Sequence, residues 1–266
     1  MAHGRMGRAL ALWVTAALAG GAQAAVAEPL EALRQVLDRL PATAPVAGRL
    51  MVEVDSRTDG EDGSGGRAGS ATVQVSARQD GVTVRVPADL LAEVRKDERG
   101  SAGKEGETTR APSAALREVT AILVDQLLDA AAVVRRTLEH ATFERQRLLP
   151  DAGPGARELH FRLDPPMSER ERKRFREFTM TLVVTVDGDG IPVAARQHTR
   201  LRGRVLLASF ELNSSEESRF AVIGDRLVTI RQEREERGSG MGQRSESSRV
   251  FVLSVEPPRA EQEAGE

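Results

Sequence analysis

The most chemically suggestive stretch is Asp187-Gly188-Asp189-Gly190, where two carboxylates stand two residues apart in a glycine-rich turn. That spacing invites calcium, but an EF-hand loop opening at Asp187 needs an oxygen ligand at its fifth position and a glutamate at its twelfth. Ile191 and His198 occupy those positions, so the stretch reads as a hairpin turn. Gly100 to Lys104 resembles part of a phosphate loop, yet Glu98 stands where that motif needs glycine and Glu105 where it needs Ser or Thr. Gly238 to Gly242 is followed by no helix signal that would supply an anion-binding N-terminus, and reads as a strand connection. His140, His160 and His198 are far apart in sequence, without an H-E-x-x-H pair, and no G-x-S-x-G elbow occurs. Glu216-Glu217 and Glu235-Glu236 are the kind of carboxylate pairs that sit on a solvated face. Enzyme is therefore the less supported class, and no catalytic residue, metal or cofactor is expected.

One constellation stands apart. Arg196, His198, Arg200 and Arg202, with Arg204 in phase, fall on a single face of one strand. Such a row suits an anionic head group or an acidic partner. The simpler reading is a solvent-facing side balanced by Glu233, Glu235 and Glu236 on a neighbouring strand. Only three of the 38 basic residues are lysine (Lys96, Lys104 and Lys173), so arginine is the default cation here and its presence at one site signifies little.

The elements that carry these residues follow from periodicity. Met180, Leu182, Val184 and Val186 alternate with polar or smaller residues before the Asp-Gly turn, and Ile191 to Leu201 alternate after it. A period of two with a turn between predicts an antiparallel hairpin. Similar alternation predicts strands at Leu50–Val54, Val73–Ala77, Val82–Val86, Leu159–Leu163, Leu206–Leu212, Phe220–Val222, Leu227–Ile230 and Phe251–Val255. Pro29 opens a short amphipathic helix to Leu40, Ala88 to Lys96 forms another, and a long helix carries the stripe Leu116, Val119, Leu123, Leu127, Val134 and Leu138. Ser168 to Glu171 matches a capping box ahead of one or two exposed turns. Segments 59–70, 97–109 and 236–248 have little to bury and read as mobile loops, and 257–266 as a disordered tail.

Arg5 and Arg8 precede the apolar run Ala9 to Ala19, and small residues follow up to Ala27. That arrangement predicts a secretory signal peptide, 1–27, removed on export to the periplasm or beyond. The run is too short to span a bilayer, so no transmembrane anchor is expected. The chain has no cysteine, so neither a lipid-attachment thiol nor a disulfide is available. Its formal charge of −2 becomes more negative once the leader's two arginines leave, which argues against nucleic acid. Residues 28–256 read as a single domain and a monomer.

Strands in runs joined by short turns place the chain in the α+β class, with about 9–11 antiparallel strands. The helix Glu28 to Leu40 leading into Leu50–Val54, and the strand-turn-strand Val183 to Val193, resemble in order the periplasmic lipoprotein-sorting carriers, the LolA/LolB-like superfamily. That resemblance implies a curved antiparallel half-barrel with helices covering its concave face, and a hydrophobic ligand such as a lipid, an acyl chain or a lipoprotein. On that reading Leu182, Val184, Val186, Leu206 and Phe210 are the candidate cavity lining. The alternatives are an envelope sensor or protein-interaction module working through the basic row, and a hydrolase assembled from His160 or His198.

Overall fold

Wherever alternating residues flank a tight turn, the chain doubles back on itself. A computed structural model of the protein describes residues 21–60, 63–100, 109–172, 174–205 and 208–256. In chain order the elements are α1 (Gly21–Asp38), β1 (Val46–Gly60), β2 (Gly63–Arg78), β3 (Gly81–Arg85), α2 (Ala88–Gly100) and β4 (Thr109–Arg110). Three helices follow, α3 (Pro112–Leu116), α4 (Ala121–Leu128) and α5 (Ala130–Leu138), then β5 (Ala141–Leu148), β6 (Arg157–Leu163) and α6 (Glu169–Arg172). The chain closes with β7 (Phe175–Val186), β8 (Pro192–Val205), β9 (Ala208–Ile223), β10 (Arg226–Gly240) and β11 (Gln243–Val255).

All these strands belong to one sheet, ordered β3-β2-β1-β11-β10-β9-β8-β7-β6-β5, with β4 beside β2. Neighbours along that path are antiparallel, and β4 alone pairs in parallel, Arg67 opposite Thr109 and Ala68 opposite Arg110. The α+β class and the antiparallel sheet match the sequence reading. β1 pairs with β11 from Gly48–Val255 to Asp59–Arg244, setting the first strand beside the last, third and fourth from the β3 edge.

Two of the expected loops are strand instead. β1 and β2 stay in register out to Gly60–Gly63, and β10 and β11 out to Gly240–Gln243, so most of 59–70 and 236–248 is paired hairpin. Pairing is made by backbone groups, which glycine and serine supply as well as any residue, so a stretch with nothing to bury still extends a ladder its neighbours have begun. α2 likewise runs on to Gly100, and Thr109 belongs to β4; residues 101–108, residues 1–20 of the expected 1–27 signal peptide and residues 257–266 lie outside the described residues. α1 begins at Gly21 rather than Pro29 because the alanine-rich Gly21–Glu28 segment is itself good helix.

The long helix expected over the 116–138 stripe is three pieces. Thr120 accepts a hydrogen bond from Leu123 N–H, and Asp129 from Ala132 N–H, each capping a new helix. A cap of this kind is worth about 1 kcal/mol, enough to favour a break where the packing also favours it. Val124, Leu127 and Leu128 of α4 join a core with Leu50, Val52, Val73, Phe251 and Leu253. Ala131, Val134 and Leu138 of α5 join a second core with Leu37, Phe161, Val184 and Leu227. One straight helix could not turn its apolar stripe toward both.

The turn Gly224-Asp225 clasps the linker that enters β1. Asp225 accepts hydrogen bonds from the Thr43 hydroxyl, Thr43 N–H and Ala44 N–H, the last at 2.7 Å, and Arg226 donates back to the Ala44 carbonyl. The Thr43 hydroxyl first, then the Ala44 amide, hold the Asp225 carboxyl below the usual aspartate range. A carboxylate lowered in the folded state contributes stability above its unfolded pKa and loses it as pH falls through the folded value. Asp225→Asn is therefore expected to melt below the parent at pH 7. The gap should begin to narrow near about pH 4, where the unfolded chain's aspartate protonates, and close as pH falls through the lowered folded value. Parallel melts of the two chains at pH 7 and pH 3 check this, and a gap independent of pH would refute it.

Candidate functional site

Residues opposite one another in antiparallel strands share a face, so register assigns side chains to the packed or the outer side of the sheet. Leu182, Gln197, Glu216, Arg234, Arg249 and Val54 form one such row across β7, β8, β9, β10, β11 and β1. The next row toward the core is Val184, Ala195, Ser218, Gln232 and Phe251. Between these rows and the α4–α5 pair lies a cavity of about 220 Å³. Leu123, Leu127, Ala130, Val133 and Val134 form its helix wall, and Gln197, Glu216, Ser218, Thr229, Gln232 and Arg234 its sheet floor.

The floor is polar where a sheet core would be apolar. Thr229 is 4% exposed and Ser218 8%. A bulge between Thr229 and Arg231 puts Thr229 and Gln232, three residues apart, on the same face. Gln232 donates to Glu216 at 2.8 Å. At the rim, Arg234 meets one oxygen of Glu236 at 2.5 Å and Arg249 the other at 3.1 Å. Arg249 Nε also lies 3.0 Å from Glu118, in the link between α3 and α4, as an ion pair whose N–H direction misses hydrogen-bond geometry. Partial burial pulls Glu236 upward, but Arg234 and Arg249 outweigh it and leave the carboxyl below its ordinary range.

Of the expected lining, Leu182 faces the cavity. Val184 and Val186 are instead fully buried in the second core, closed over by α1 and α5. Phe210 sits near the start of β9, its ring edge-on to Phe175 at 6.2 Å, and does not line the cavity. Leu206 lies outside the described residues.

The basic row is on the outer face and is neutralised there. Arg196 bonds Glu217 at 2.7 Å and Arg202 bonds Glu211 at 2.9 Å. Arg200 lies 3.4 Å from Glu177 and 3.8 Å from Glu211. His198 is exposed between them. The balancing carboxylates come from β7 and β9 rather than from Glu233, Glu235 and Glu236, because β8 lies between those two strands and does not touch β10. Bonding to Arg202, then to Asn213, lowers the Glu211 carboxyl.

The three histidines do not converge. His160 pairs with Glu158 at 3.2 Å on β6, two strands away from His198, and His140 precedes β5. Asp187 uses its carboxylate to accept from Asp189 and Ile191 N–H, and Gly190 takes φ 82°, so the Asp-Gly pair builds its own turn. Among the described residues no group of three or more His, Asp or Glu is placed to hold a metal, and no helix is long and apolar enough to cross a membrane.

No family model matches the chain, and neither the curated proteins nor the solved structures contain a significant match. The likeness to the lipoprotein-sorting carriers thus rests on the order of elements, and the cavity carries the functional argument. Its floor was the part missed in the sequence. The available signal was phase: Glu216 and Ser218 share the alternation of Phe220, and Arg249 that of Phe251 and Leu253. Polar residues at core-phase positions mark a place where the core opens.

Proposed function

We propose that the protein is an exported binding or carrier protein of the cell envelope, whose cavity takes a single hydrophobic chain with a polar end. The observation that supports this reading best is the cavity's division, apolar on the α4–α5 wall and hydrogen-bonding on the sheet floor. Ligand sites are concave and mostly apolar, with a few polar groups that fix orientation. A ten-strand open sheet is also long enough that twist tends to curl it, which accords with a half-barrel whose concave side holds the helices. The leader-like Arg5 to Ala27 segment accords with export to the periplasm. The interaction-module reading would use the outer face, where the arginines are already paired, so the cavity is the better-supported working surface.

Val133 is half-buried on the helix wall, and Val133→Trp should fill the space. Protein purified from its native envelope should yield lipid in organic extracts and brighten a neutral solvatochromic dye. Val133→Trp should abolish the dye response while retaining a cooperative melt. A lipid-free extract together with no dye response in the parent chain would refute the carrier reading.

A further inference from the structure

At its polar end the cavity is lined by two carboxylates, Glu118 and Glu216, and two guanidiniums, Arg234 and Arg249, which both pair with Glu236 outside the lining. Both guanidiniums are committed, since each holds one oxygen of Glu236. Glu216 is not neutralised in this way: it accepts from the neutral amide of Gln232 and makes no ion pair among the described residues. Ser218 in the next row inward, and Thr229 opposite Phe220 one row beyond it, also line the cavity, in residues more than nine-tenths buried. Neither hydroxyl oxygen is among the sealed, unpartnered polar atoms of the described residues; with no hydrogen bond to the protein, both open onto the cavity. A hydroxyl with no protein partner, set in a residue more than nine-tenths buried and open only to a cavity, is free to bond whatever occupies that cavity.

From this we infer that the ligand bears a cationic group, an alkylammonium in chemical class, seated against Glu216 with Ser218 and Thr229 as further acceptors. This rests on the cavity being the binding site proposed above. An ammonium offers three N–H donors, and the floor offers one carboxylate without an ion pair, although Arg234 stands opposite it, and two hydroxyls to receive them. A fatty-acid carboxylate would meet Glu216 head-on, with both nearby arginines already engaged, and like charges at close range disfavour each other. The apolar helix wall takes the chain whichever head is attached, so the selection lies in the floor.

The test is calorimetric titration of the full chain at pH 7 with dodecylammonium, dodecanoate and dodecanol, each below its micellar concentration. Dodecylammonium should bind about tenfold or more tightly than dodecanoate, the scale of one charge-assisted hydrogen bond. In Glu216→Gln, which keeps size and shape, that preference should collapse while dodecanol affinity holds. Equal or tighter binding of dodecanoate by the parent chain overturns the inference without needing any variant, and leaves the carrier reading standing. A preference that survives intact in Glu216→Gln also overturns it. Failure of all three chains to bind overturns the carrier reading as well.

Discussion

Phe161→Ala is expected to lower the unfolding free energy by about 3–5 kcal/mol, the range for deleting a fully buried aromatic ring. Phe161 is 1% exposed and sits where α1, α5 and β7 meet over β6. Its ring meets Phe143 edge-on, centroids 5.8 Å apart at 68°, a contact that adds to the simple burial. Leu37 and Leu138, both at 0% exposure, pack in the same cluster from the two helices. Truncation would leave a void that helices anchored at both ends cannot collapse into. Urea denaturation should show a lower midpoint with an unchanged slope, and Phe161→Leu should recover much of the loss. A shift of less than about 1 kcal/mol would mean that this cluster is not packed as described.

The second large effect is expected at Gly69→Val. Gly69 lies on β2 where α3 begins, and a Cβ added there would fall 2.0 Å from the Ala111 carbonyl oxygen. Ala111 is itself tied to β2 through its N–H to the Ala68 carbonyl at 2.8 Å, so the backbone cannot step aside without breaking that bond. Overpacking costs of about 1–3 kcal/mol are usual where backbone must shift. The consequence reaches the cavity, because α3 leads into the link carrying Glu118, which holds Arg249 at the rim. Hydrogen exchange should show faster loss of the Ala111 amide in the variant, together with weaker dye binding. Gly65→Ala is the control, since a Cβ there meets nothing within 4 Å. Equal effects at the two glycines would refute the argument.

Much of the sheet was legible because half-buried strands must alternate. Leu182, Val184 and Val186 were assigned to one face, and they are the buried residues of β7. The Asp-Gly and Gly-Asp turns marked hairpins for a local reason, the positive φ that Gly190 and Gly224 adopt. Strand length was not legible, because the Gly- and Ser-rich ends of β1, β2, β10 and β11 are held by the neighbour's backbone and leave no side-chain pattern. The helix break at Asp129 was hidden for a different reason: an aspartate fits equally well as a polar residue on a continuous helix and as the cap of a new one.

The sequence by itself determined the class, the antiparallel hairpins and the absence of any recognisable catalytic or metal motif, all of which depend on local spacing. Only the tertiary structure decided that Val184 faces a closed core while Leu182 faces a cavity, since alternation states which side of a strand is covered and not what covers it. It also decided the fate of the charges. Arg196, Arg200 and Arg202 form a row in sequence, but the glutamates that neutralise them are brought alongside by the pairing of β8 with β7 and β9. Glu216, Ser218 and Thr229 look like ordinary surface residues until register places them on the packed face, where they line the cavity beneath α4 and α5.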